Sequence, residues 1–141
     1  SAPTCGLSVP RQNGKTLDTS GRIASGMILY AEWVIYTAHL QKTATETFME
    51  LRGLFESRGL RKYVKEIKAA LGREQIILKN GGRVVFVART RNGGRGLHGD
   101  CLVFDEAQEL TSEQQASFLP AISASRNPHR MKIVPAQYSG R

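Results

Sequence analysis

The sequence predicts an α/β protein built around a mostly parallel β-sheet, and three observations support this fold class. Short runs rich in β-branched and aromatic residues alternate with segments of helical periodicity, an order typical of βαβ units. The run Cys101–Phe104 is apolar at every position, as expected of a strand covered on both faces. The 141 residues, 40% of them hydrophobic and 23% charged, suit one domain over residues 1–141 and exclude a disordered tail.

The first half of the chain contains two predicted strand–helix pairs. We expect strands at Cys5–Val9, which stops at Pro10, and at Trp33–Ala38. Helices are predicted over residues 15–31 and 41–57. In the second of these helices the apolar residues fall on one face at helical spacing: Ala44, Phe48, Leu51 and Phe55.

The middle of the chain is predicted to add a third helix and a β-hairpin. Residues 60–71 carry apolar side chains at helical spacing and end at Gly72, a common residue after a helix. Gln75–Leu78 and Val84–Ala88 are predicted strands, joined through Lys79–Gly82. The Asn-Gly pair in that connection is a strong signal for a hairpin.

The remaining segments alternate again between strand and helix. A loop over residues 89–100 precedes the strand Cys101–Phe104. Thr111 begins a helix, and Gln114 three residues later completes a capping box. Met131–Val134 is the last predicted strand, which gives the sheet another buried member.

Charge and cysteine content indicate the partners and the compartment. Twenty Lys and Arg against twelve Asp and Glu give a net charge of +8, which favours a polyanion such as nucleic acid or nucleotide. A merely basic soluble protein is the alternative. Cys5 and Cys101 form neither a metal-ligand spacing nor a disulfide framework, so we expect buried thiols in a reducing compartment. We expect no membrane span and no secretory leader at Ser1–Thr4.

A candidate phosphate loop lies between the first strand and the first helix. The segment Val9–Thr16 ends in Gly-Lys-Thr, where Gly14 permits close backbone approach, Lys15 reaches phosphates and the Thr16 hydroxyl can ligate Mg²⁺. Its first position is Val9 where the common pattern has Gly. An ordinary strand-to-helix turn is the alternative interpretation of this segment alone.

Two adjacent carboxylates follow the buried strand Cys101–Phe104. An Asp at such a strand end can hold Mg²⁺, which is the role expected of Asp105. The adjacent Glu106 can polarise an attacking water as a general base. The alternative is a helix entry, since carboxylates also favour helix N-termini. The pair and the phosphate loop together predict ATP hydrolysis.

Basic residues cluster in two further places. Arg89, Arg91 and Arg95 lie in the loop, and the glycine-flanked Arg95 suits an arginine finger; contact with DNA or a solvated surface are alternatives. A second basic stretch is either a solvated helix face or a surface that tracks DNA: Arg58, Arg61, Lys62, Lys65, Lys68 and Arg73. No metal site is predicted at the histidines, which have no carboxylate or cysteine at ligand spacing: His39, His98 and His129.

Four segments together resemble the ATPase domain of tailed-phage terminase large subunits: Pro10–Thr16, Tyr36–Ala38, Gly94–Gly96 and Leu102–Gln108. The resemblance runs from near Cys5 to near Ala136. The phosphate loop of that family typically departs from the common pattern at its first position and carries Arg at its third. Val9 and Arg11 do the same here.

The resemblance implies a P-loop NTPase fold of three αβα layers. It places an added strand in the central sheet between the Walker A and Walker B strands, and it implies ATP and Mg²⁺ as cofactors. The implied nucleotide-binding residues are Arg11, Gln12, Asn13, Gly14, Lys15 and Thr16. The implied metal ligands are Thr16 and Asp105, and the implied catalytic residues are Glu106, Arg95 and Lys15.

The same resemblance implies an assembly that moves double-stranded viral DNA into a procapsid in the host cytoplasm. Its expected form is a ring, commonly a pentamer, together with the portal and the small terminase subunit. No Asp or Glu follows Glu113, so we expect the family's C-terminal nuclease to be absent and the chain to be an isolated motor domain. Two alternatives remain: a helicase-like DNA translocase motor, or a non-hydrolysing module that binds nucleotide or DNA.

Overall fold

The computed structural model describes residues 4–8 and 15–134, with side chains from Thr19 onward. Its helices and strands are β1 (Thr4–Ser8), α1 (Lys15–Tyr30), β2 (Trp33–Ala38), α2 (Gln41–Phe55), β3 (Val64–Lys68), β4 (Glu74–Leu78), β5 (Arg83–Ala88), β6 (Cys101–Phe104), α3 (Ser112–Phe118) and β7 (His129–Val134). Helix α3 begins with the predicted capping box, in which Thr111 and Gln114 bond reciprocally. No helix in the described part of the chain is long and apolar enough to cross a membrane.

The described strands form one seven-stranded sheet in the order β1-β7-β6-β2-β5-β4-β3. The five strands from β1 to β5 in that order are parallel, and β4 and β3 extend the sheet antiparallel. The predicted α/β class with a mostly parallel sheet is confirmed, as is the hairpin between β4 and β5. The parallel strands all end at one edge, here called the carboxyl edge, and begin at the opposite amino edge.

Both faces of the sheet are covered, which makes the domain three-layered. Along β2 the side chains alternate: Tyr36 packs with α1 and α2, whereas Ile35 packs with α3 and the 3₁₀ turn Leu119–Ile122. Strand β6 does the same, so all four of its residues are buried, as the continuous apolar run predicts. Cys101 is a buried thiol as expected, and the side chain of Cys5 lies outside the described residues.

The helix predicted over residues 60–71 is wrong: the segment forms a 3₁₀ turn at Arg61–Tyr63 and then the edge strand β3. The strand register shifts between Val64 and Glu66, which inserts one extra residue opposite β4. Val64 and Ile67 therefore share the core-facing side although they are three residues apart. A bulged strand thus reproduces the apolar spacing of a helix, and the basic residues of this stretch lie along a sheet edge rather than a helix face.

Candidate active site

Strand β6 delivers two adjacent carboxylates to the carboxyl edge, between β2 and β7. Asp105 continues the sheet, because its N–H donates to the Thr37 carbonyl over 2.8 Å, and its side chain is 1% exposed. Glu106 follows directly and is half-buried. The central position of β6 in the sheet therefore fixes the backbone that carries both acids.

A buried hydrogen-bond chain connects Asp105 to helix α2. The Tyr36 hydroxyl donates to Asp105 Oδ2, and the Glu106 N–H donates to Asp105 Oδ1 over 2.7 Å. Because the single phenolic proton is used in this way, the Thr47 hydroxyl donates to the Tyr36 oxygen, 3.0 Å away. Burial, followed by the negative charge of Asp105, raises the pKa of Tyr36 well above its ordinary value. The phenol therefore keeps its proton and orients the carboxylate.

Replacing Tyr36 with Phe should lower the free energy of unfolding by about 1.5 to 3 kcal/mol, the contribution of a hydrogen bond to a charged group. The variant removes the donor to a buried carboxylate without opening a large cavity. Urea denaturation measures the difference. The matched control is Tyr63→Phe, at a partly exposed site, which should change stability by less than about 0.5 kcal/mol. Equal effects of the two changes would contradict a positioning role for Tyr36.

Glu106 adopts a left-handed backbone conformation, with φ 53° and ψ 49°. This conformation costs a non-glycine residue about 1 to 3 kcal/mol and persists only where surrounding contacts hold it. The His39 N–H donates to Glu106 Oε1 over 3.0 Å, and Arg89 Nη2 donates to the Glu106 carbonyl over 3.0 Å. The strained turn therefore directs this carboxylate along the carboxyl edge rather than back into the sheet.

Arg89 is the arginine that contacts the acidic strand end. It follows β5 at the carboxyl edge, is 4% exposed, and its Nη1 donates to the Thr37 carbonyl and hydroxyl over 3.2 and 3.0 Å. Burial lowers the pKa of Arg89 from its ordinary value, while the carboxylates of Glu106 and Asp105 oppose that shift. A guanidinium fixed by several bonds braces the site. It is not placed to move toward a ligand.

Arg95, the predicted finger, lies elsewhere on the same connection. It is exposed between Gly94 and Gly96, both with positive φ, and Gly94 packs so tightly against Phe118 that a Cβ would overlap the ring. Within the described part of the chain, no hydrogen bond or ion pair joins Arg95 to Asp105 or Glu106. The loop therefore presents Arg95 to solvent on a rigid turn anchored on α3.

The candidate phosphate loop enters from the same edge of the sheet. Strand β1 ends at Ser8 and α1 begins at Lys15, and the parallel pairing of β1 with β7 and of β7 with β6 gives β1 and β6 one direction. Strand β7 lies between these two strands. Four of the predicted nucleotide-binding residues lie outside the described residues: Arg11, Gln12, Asn13 and Gly14. Lys15 and Thr16 are described as helix backbone alone.

The donor chemistry at the carboxyl edge suits a hard cation. Asp105 supplies a buried carboxylate and Thr16 carries a hydroxyl at the start of α1, and oxygen donors of this kind are those that Mg²⁺ prefers. The residues present therefore fit Mg²⁺ bound together with a phosphate group.

Sequence reasoning missed three groups that shape this site: Tyr36, Thr47 and Arg89. Tyr36 was noted only within a family-like segment, Thr47 lies on α2, and Arg89 was grouped with the loop arginines. A polar residue at the end of an otherwise apolar strand is the signal that could have selected Arg89. Nothing in the sequence indicates that Thr47 meets Tyr36.

An acidic pair at the carboxyl edge of a three-layered, mostly parallel sheet defines a fold class that is found in phage DNA-packaging ATPases. Solved structures confirm the expected fold. The large terminase of bacteriophage HK97 superposes with a TM-score of 0.80 at 17% identity, over 95% of this chain and 29% of that one. A thermophilic bacteriophage large terminase in complex with ATP-gamma-S gives 0.65 at 15% identity, over 93% and 32%. The bacteriophage Phi-29 viral genome packaging motor assembly gives 0.60 at 14% identity, over 95% and 43%.

These identities establish the fold and no closer relationship. The chain spans less than a third of the HK97 terminase with which it superposes. No model of a known protein family matches the sequence, and no curated protein matches it either.

Proposed function

We propose that residues 1–141 form a P-loop ATPase domain of the large-terminase type, which hydrolyses ATP to drive double-stranded viral DNA into a procapsid. The observation that carries this proposal is the Asp105–Glu106 pair at the carboxyl edge, where β1 also ends. Its support from similar folds is a large terminase in complex with ATP-gamma-S and a viral genome packaging motor.

The nucleotide would lie between the phosphate loop and the acidic strand end. Backbone N–H groups of residues 11–14 and the N-terminus of α1 favour phosphate there. Lys15 would neutralise the phosphates, with Thr16 and Asp105 holding Mg²⁺. When bound, the ion offsets the charge that develops on the phosphate oxygens. Each of these roles uses a residue at or beside the carboxyl edge.

Glu106 would orient and polarise the attacking water. A carboxylate in this role must keep one position relative to the phosphates, because small displacements are costly in catalysis. The His39 N–H and the Arg89 guanidinium fix the side chain and the backbone of Glu106. The Tyr36–Asp105 bond fixes the residue before it. The strained backbone at Glu106 is thus the feature that the surrounding contacts maintain.

The assembled form would be a ring, probed here as a pentamer, on the portal with the small terminase subunit in the host cytoplasm. A net charge of +8 favours association with the DNA backbone. Arg95, presented to solvent, would act on the nucleotide of the neighbouring subunit. The isolated chain would then be a monomer that turns over ATP slowly.

Replacing Lys15 with Ala tests the nucleotide site directly. Hydrogen bonds to charged groups contribute about 1.5 to 3 kcal/mol, so affinity for an ATP analogue with Mg²⁺ should fall about 10- to 100-fold. Calorimetric titration measures the affinity, and Lys42→Ala on the exposed side of α2 is the matched control that should bind normally. A crystal soak should then place the phosphates at residues 9–16. Undiminished binding by the Lys15 variant would contradict the proposal.

A further inference from the structure

A second cluster of ligand-type side chains lies at the amino edge, away from the carboxylates of the proposed ATPase site. Glu32 follows α1 just before β2, Cys101 is the first residue of β6, and His129 is the first residue of β7. Cys101 and His129 are register partners on neighbouring strands. One carboxylate oxygen, the thiol sulfur and a ring nitrogen from these residues all lie within 4.8 Å of one another.

The surroundings of His129 determine which ring nitrogen carries the proton. Its Nδ1 lies 3.1 Å from the Asn127 carbonyl, which can only accept, so Nδ1 donates. Its Nε2 lies 3.0 Å from an Arg22 guanidinium nitrogen, which can only donate, so Nε2 offers a lone pair. A backbone carbonyl that holds the distal N–H of an imidazole is also the usual arrangement behind a metal-ligating histidine.

The lone pair of His129 faces a second electron-pair donor. Glu32 Oε2 lies 3.0 Å from Nε2, and Glu32 is 9% exposed. Two such donors at this distance need a cation beside them. Arg22 supplies one: its Nη1 bonds Glu32 Oε1 over 3.1 Å while its Nη2 reaches His129.

Arg22 can leave this position without unfolding the domain. Its side chain is 39% exposed, and a cavity of about 410 Å³ lined by Arg22, Tyr30, Glu32, Asn127 and His129 opens beside the cluster. A Cβ at Gly26 would overlap both Glu32 and Arg22, so the glycine in α1 keeps the space in which these side chains meet. The cavity also has room for a water molecule as a further ligand.

We propose that Glu32, Cys101 and His129 form a site for Zn²⁺ or a similar borderline transition metal, in which the ion replaces the Arg22 guanidinium. Carboxylate oxygen, thiolate sulfur and imidazole nitrogen are the donors that Zn²⁺ takes in proteins, and water completes the four ligands. Binding releases the Cys101 thiol proton to solvent, since thiolate is the ligating form. The ion joins the start of β2, β6 and β7, so it stabilises the central sheet without touching the ATPase site.

Titration of the 141-residue chain with Co²⁺ tests this site independently of ATPase activity. A thiolate charge-transfer band and the visible d–d bands of four-coordinate cobalt should appear, and Zn²⁺ should displace them and raise the melting temperature. Outer-shell changes already alter metal affinity by about 10- to 100-fold, so Cys101→Ser and His129→Gln should each weaken binding by at least about 100-fold. Arg22→Ala should tighten it, because the competing cation is gone.

The controls are the other thiol and another exposed histidine of the chain. Cys5→Ala and His98→Ala should keep both sets of bands, and circular dichroism without metal shows that each variant is folded. Charge-transfer absorption that disappears with Cys5 and survives loss of Cys101 would overturn the proposal. So would weaker binding by the Arg22 variant, or the absence of any band in the folded parent chain.

Discussion

Replacing Glu106 with Gln should lower the rate of ATP hydrolysis by at least about 100-fold, the lower range for a general base in a positioned active site. Nucleotide affinity should stay close to that of the parent chain. The amide keeps the size of the carboxylate and can still accept the His39 N–H, so the strained turn and its bonds to Arg89 are preserved. What disappears is the group that takes a proton from water.

A matched glutamate separates this effect from a general loss of charge. Glu109, in the 3₁₀ turn that follows, is exposed, and Glu109→Gln should hydrolyse ATP at the parent rate. Phosphate release and analogue binding are measured on the same preparations. Parent-like turnover by the Glu106 variant would remove the proposed base, whereas loss of binding would indicate a structural role in its place.

Replacing Arg95 with Ala should reduce hydrolysis by the assembled ring by about 1,000-fold or more, the scale of an arginine finger. The reduction should be relieved by mixing with the Glu106→Gln subunit. In such mixed rings, the Glu106 variant supplies Arg95 to a neighbour whose own acidic pair is intact. The exposed turn between Gly94 and Gly96 explains why Arg95 can reach another subunit.

The control for this experiment comes from the same loop. Arg91 is also exposed but lies just after β5, and Arg91→Ala should leave the ring active. The dependence of turnover on protein concentration gives a second measurement, since a finger that acts between subunits requires assembly. Fast hydrolysis by dilute parent chain, or no recovery in mixed rings, would show that Arg95 does not act on a neighbour.

Most of the helices and strands could be predicted because their signals are local. Aromatic and β-branched residues in Trp33–Ala38, the Asn-Gly turn before β5 and the capping box at Thr111 each act within a few residues. The segment 60–71 failed for the opposite reason. Its helical spacing arises from a bulge opposite β4, and a bulge depends on a partner strand that local periodicity does not reveal.

The candidate active site was predictable in the part that one strand carries. Asp105 and Glu106 follow a run of four apolar residues, and that pattern alone indicates acids at a strand end. Their support was not predictable, because Tyr36 and Arg89 reach them across neighbouring strands. The roles assigned to Arg11, Gln12, Asn13 and Gly14 stay predictions from the sequence, as do those of Lys15 and Thr16.

The sequence by itself determined the fold class, the order of most helices and strands, and the position of the acidic pair, since each follows from hydrophobic periodicity and turn chemistry over short distances. Only the tertiary structure decided which distant side chains meet. Glu32, Cys101 and His129 have no ligand spacing along the chain, yet the parallel pairing of β6 with β2 and β7 brings them to one edge. Strand order depends on packing summed over the whole sheet, and no local pattern encodes that sum.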